Sequence, residues 1–97
     1  MNAPKKISQK QLQKYLDELI ALAKAVTPDV ETHFHTPGYD GQHAWLEIYV
    51  PDELEEQIDE LVSQRAHDIF IDTGYDIGAI VYEKSQLQDE TAETSAV

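Results

Sequence analysis

His43-Ala44-Trp45-Leu46-Glu47-Ile48-Tyr49-Val50 alternates in polarity along its whole length. Side chains alternate across a β-strand, so Ala44, Leu46, Ile48 and Val50 share one face and His43, Trp45, Glu47 and Tyr49 the other. The first set is a core face. The second is rich in aromatic and ionisable groups and is the candidate functional surface. Upstream, Val30 to Thr36 reads as the partner strand, with Val30, Thr32 and Phe34 on one side and Glu31, His33 and His35 on the other. Pro37-Gly38-Tyr39-Asp40-Gly41-Gln42 between them is dense in turn formers and reads as the hairpin loop. Two registers keep both faces consistent. One sets His35 opposite His43 and His33 opposite Trp45; the other sets His35 opposite Trp45 and His33 opposite Glu47. A one-residue slip would turn outward side chains into the core.

Helices flank this hairpin. Leu12, Tyr15, Leu16, Leu19, Ile20, Ala23 and Val26 recur at helical spacing after Ser8, whose hydroxyl suits an N-cap. Thr27-Pro28 ends that helix, because the residue before proline is pushed out of the α region. Pro51-Asp52-Glu53-Leu54-Glu55 opens a second helix, with Asp52 and Glu55 spaced as a capping box. Its stripe runs through Leu54, Ile58, Leu61, Val62, Arg65 or Ala66, Ile69 and Phe70, and Gly74 closes it. Tyr75 to Glu83 predicts a last strand, apolar on both faces and therefore central or covered on both sides. The order α-β-β-α-β predicts an α+β domain over 8–84, with two helices packed on one face of a three-stranded sheet. Its βαβ crossover is expected to be right-handed. Residues 1–7 read as a flexible lead and 85–97 as a disordered acidic tail.

Composition narrows the function classes. The chain has 97 residues and no cysteine, with 19 acidic side chains against 7 basic ones, a net charge of −12. That excess repels phosphate backbones and anionic lipid, so neither nucleic acid nor a membrane surface is an expected partner. The lack of cysteine excludes disulfides, thiolate catalysis and thiolate metal sites, and fits a reducing, cytoplasmic setting. Two lysines near Met1 are followed by no apolar stretch of the signal-peptide kind, and no apolar run approaches bilayer length. No catalytic residues and no cofactor are expected. Acidic residues crowd the second helix as a solvated face, and Gly38-Tyr39-Asp40-Gly41 lacks the lysine, serine and following helix of a phosphate cradle.

Two readings of the hairpin's polar face follow. In the first, Trp45, Tyr49, His33, His35 and His43 form an interaction surface. Tryptophan and tyrosine are enriched at interface cores, and an open aromatic sheet face commonly pairs with a second copy or another protein. The competing expectation for Trp45 is cover from the loop around Tyr39 or from the C-terminal tail. In the second reading, His33, His35 and His43 with Glu47 (or Glu31) hold a divalent metal, since neutral imidazole is the commonest metal ligand.

The stretch Leu46 to Asp52, the acidic helix, Asp72-Thr73-Gly74-Tyr75-Asp76-Ile77 and Val81-Tyr82-Glu83-Lys84-Ser85 together resemble the strand, helix and strand of minimal nucleotidyltransferase domains. The resemblance covers the C-terminal half. It implies an inactive member, because the Gly-Ser pair is missing and His43-Ala44-Trp45-Leu46-Glu47 stands where paired aspartates would hold Mg²⁺. The order of elements also resembles the cytoplasmic domain of cation-efflux transporters, a small histidine-bearing dimerisation module, in topology alone.

Overall fold

A computed structural model describes residues 8–86 of the chain. The lead expected over 1–7 and residues 87–97 of the expected tail lie outside them, while 85 and 86, expected to be disordered, are helical. Its elements are α1 (Gln9–Val26), β1 (Glu31–His35), β2 (Ala44–Val50), a 3-10 turn (Asp52–Leu54), α2 (Glu55–Thr73) and β3 (Ile77–Glu83). This is the α-β-β-α-β order. The sheet runs β1-β2-β3, with β1 antiparallel and β3 parallel to β2.

The core is built on β2. Ala44, Leu46, Ile48 and Val50 are all fully buried, and they join Leu12, Leu16, Leu19 and Ala23 of α1 with Ile58, Val62, Ala66 and Ile69 of α2 in one cluster. The helices therefore share one face of the sheet: α1 contacts β2, α2 contacts β3, and the two contact each other. Arg65 of α2 is ion-paired with Glu18 of α1, with Nη2 donating to Oε1 at 3.3 Å. Donating to the Glu18 carboxylate raises the Arg65 pKa above its ordinary value.

Helix ends follow local chemistry. The Ser8 hydroxyl accepts the Gln11 amide (3.2 Å), as an N-cap should. Thr27 is extended ahead of Pro28 and ends α1. Gly74 takes the left-handed conformation (φ 82°) that closes α2. The start of α2 differs from the expected capping box. Pro51 is extended and leads into the 3-10 turn, α2 begins only at Glu55, and no side chain caps it. The Asp52 carboxylate instead accepts the Ser85 amide (3.3 Å), at the point where residues 84–86 leave β3 in helical conformation.

The strands decide one expectation and correct another. Of the two alternatives for β3, central or covered on both sides, the first is not taken: β2 is the middle strand and β3 lies at an edge. The second holds at Gly78, which is on the face away from the helices and is buried under the neighbouring Trp45 side chain. Phe34, assigned to the core face of β1, is 44% exposed. The helices cover β2 and β3 and leave the apolar side of β1 largely uncovered.

Replacing Ile48 by Ala should cost about 2–5 kcal/mol, while Phe34→Ala should cost about 1 kcal/mol or less. Urea unfolding of the two variants checks this ordering. Gly74→Ala, which forces a Cβ into a left-handed position, should cost about 1 kcal/mol.

Candidate functional site

Of the two registers left open by the hairpin, the structure adopts the second: His35 lies opposite Trp45 and His33 opposite Glu47. β3 extends both rows. Residues paired across neighbouring strands point to the same face. The face away from the helices therefore carries three rows: His35, Trp45 and Gly78; His33, Glu47 and Ile80; Glu31, Tyr49 and Tyr82. Of the residues singled out in the sequence, His33, His35, Trp45, Glu47 and Tyr49 come together here.

Aromatic contacts knit the surface. Tyr49 stacks on Tyr82 with centroids 5.1 Å apart and planes 22° from parallel, and His33 meets Tyr49 edge-on at 6.0 Å. Tyr39 folds back from the loop onto Trp45, edge-on at 5.1 Å, and also meets His35 at 5.0 Å. The expected loop cover of Trp45 thus exists, yet it is partial: Trp45 stays half-buried and Tyr39 itself is 54% exposed. Gly38 permits this return, since a Cβ there would sit 2.7 Å from the Ala44 carbonyl oxygen. Asp40 (φ 52°) and Gly41 (φ 84°) reverse the chain in left-handed conformations.

Glu47 is the polar centre. Its half-buried carboxylate accepts the indole N–H of Trp45 (3.0 Å) and the hydroxyl of Tyr49 (3.4 Å). Both donors are neutral. In the neighbouring row, the Gln42 side-chain amide lies over Gly78, and Gln42 Oε1 is buried with no hydrogen-bond partner among the described residues.

The histidines are individually engaged. His33 Nε2 lies 2.7 Å from a Glu31 carboxylate oxygen and donates to it. His35 Nδ1 lies 3.0 Å from the Pro37 carbonyl, which can only accept. Nδ1 therefore carries the proton in the neutral ring, and Nε2 accepts from the Tyr39 hydroxyl (3.3 Å). His43 is placed differently from expectation. It precedes β2, and its Nδ1 accepts the Asp76 amide at 2.9 Å, which assigns its proton to Nε2. Its ring meets Tyr75, which packs edge-on against Tyr15 of α1. His43 therefore belongs to the junction between the sheet's end and α1, away from His33 and His35. Among the described residues no three His, Asp or Glu side chains are placed to hold a metal ion. His33, His35, His43 and Glu47 are not gathered into such a site.

Sequence reasoning missed Ile80, Tyr82 and Gly78 as parts of this face. The available signal was the parallel pairing of β3, which sets Tyr82 beside Tyr49 and Gly78 beneath Trp45 once the register is known. A shallow recess of about 420 Å³ at the loop end is lined by Gln9, Thr36, Pro37, Gly41, Gln42 and His43, none of which is an aromatic member of the face. No helix among the described residues is long and apolar enough to cross a membrane. No protein-family model matches the chain, and no similar curated protein or solved structure was found.

A Cβ at Gly78 would lie 2.6 Å from Trp45 Cε3 and from the Gln42 amide. Gly78→Ala should therefore push the indole outward, red-shift the emission of the chain's single tryptophan and cost about 1–3 kcal/mol. Fluorescence and urea titration of this variant read both effects.

Proposed function

We propose that the chain is a small non-enzymatic interaction module that docks a protein partner, a second copy or another chain, on the open face of its sheet. One observation carries the reading. Both helices pack on the same side, and the opposite side presents Tyr39, Trp45 and Ile80 at least partly to solvent beside the exposed imidazoles of His33 and His35. Apolar and aromatic surface of this kind is costly to leave in water and is the usual composition of an interface core. The face is also preorganised. Trp45 is fixed by Tyr39 and Glu47, so little side-chain freedom remains to be lost on binding. A cytoplasmic setting, consistent with an acidic chain free of cysteine, is part of the reading.

Photocrosslinking in living cells tests it. A benzophenone amino acid replacing His35 or Ile80 should give a discrete adduct, and the same group replacing Glu60, exposed on α2, should give none. The adduct's mass separates a second copy from a different partner. Equal adducts from all three positions, or none from the face, would overturn the reading.

A further inference from the structure

The open face has a charge character that selects among partners. None of the three strands contains lysine or arginine. The basic side chains among the described residues lie elsewhere: Lys10, Lys14 and Lys24 on α1, Arg65 paired with Glu18, and Lys84 paired with Asp29. Among the described residues, Glu47 is thus a half-buried carboxylate at the centre of the sheet, held by the neutral donors of Trp45 and Tyr49 with no lysine or arginine beside it. Aromatic faces adjoin it, and the electron-rich face of an indole or phenol attracts cations.

Resting on the interaction-module reading, the geometry points to an arginine-bearing segment of another protein as the occupant of this face. A guanidinium is planar, carries donors in a fork that matches a carboxylate, and stacks on aromatic rings. Those are the functions Glu47 and Trp45 offer side by side. Lysine supplies the charge without the plane. A second copy fits less well. Face-to-face pairing would bring together two surfaces that bear Glu31 and Glu47 and contribute no lysine or arginine, between chains that each carry a net charge of −12. The long-range field of such a chain also speeds encounter with basic partners.

The single tryptophan sits in the proposed site and reports on it directly. The probe is an acetylated, amidated Gly-Arg-Gly-Arg-Gly peptide, with its citrulline twin as a neutral isostere, titrated into the full chain. The arginine peptide should change Trp45 emission saturably and the citrulline peptide should not. Glu47→Gln, which removes the charge and keeps an accepting oxygen, should weaken binding about tenfold. A double change on exposed α2, Glu56→Gln with Glu60→Gln, should leave binding little altered although it removes more charge. Thermal melts confirm that each variant is folded; should Glu47→Gln not fold, the citrulline comparison and the α2 control still decide. Three outcomes would overturn the inference: no saturable change, equal binding of both peptides, or equal weakening by the α2 control. Sedimentation of the same samples separates this failure from failure of the broader reading. A dimer dissolved by Trp45→Ala would place a second copy on the face, leaving the interaction module standing and the arginine partner excluded.

Discussion

Everything in this fold depends on the burial of one side of β2. Ala44, Leu46, Ile48 and Val50 lose all contact with water, and the other elements are arranged to make that possible. Fully burying each of the three larger side chains contributes about 1.5–3 kcal/mol. That gain is realised only if α1 and α2 lie on the same side and β1 and β3 flank the strand to satisfy its backbone groups. The period of two then leaves Trp45, Glu47 and Tyr49 no choice but the opposite side. The character of the exposed face is the geometric remainder of the core.

Among the described residues, that face is ordered by side chains, not by a covering element. The strand pairings bring Tyr82 beside Tyr49, and Gly78 makes room for the Trp45 indole. Tyr39 and Gln42 return from the loop to close the loop end of the sheet. Glu47 fixes two of the aromatic residues through hydrogen bonds at the cost of holding its charge in a half-dry place. Such a surface is stiff before anything touches it.

The sequence made the alternation of β2, the stripe of α1, the Ser8 cap and the Gly74 stop legible, because each rests on local periodicity or on one residue's own conformational preference. The hairpin register was narrowed to two by the same alternation. The rest was hidden for physical reasons. β3 reads as doubly buried, but the cover over Gly78 comes from a side chain on another strand, more than thirty positions earlier in the chain. His43 has the parity of Trp45 yet falls just outside the strand, where a long-range bond to Asp76 decides its orientation. Asp52 has the spacing of a cap and is taken by Ser85. In each case a tertiary partner overrode a pattern that was locally sound. The aromatic and carboxylate members of the candidate face were found, but the third row's closure by Tyr82 required the parallel register.

The strand order carries a kinetic consequence. β2 pairs with β1 across the short loop 36–43 and with β3 only after the excursion through 51–76. Bringing distant segments together costs chain entropy before any contact repays it, and parallel pairing needs the crossover helix in place as well. The hairpin is thus the cheaper half to assemble, and β3 docks onto a template already set by Leu46 and Ile48. Higher φ-values in the hairpin than at Val81 would be its signature. In such a sequence of events, the edge of β2 that β3 will occupy stays briefly unpaired, and the molecule's most vulnerable moment is the interval before its last strand arrives.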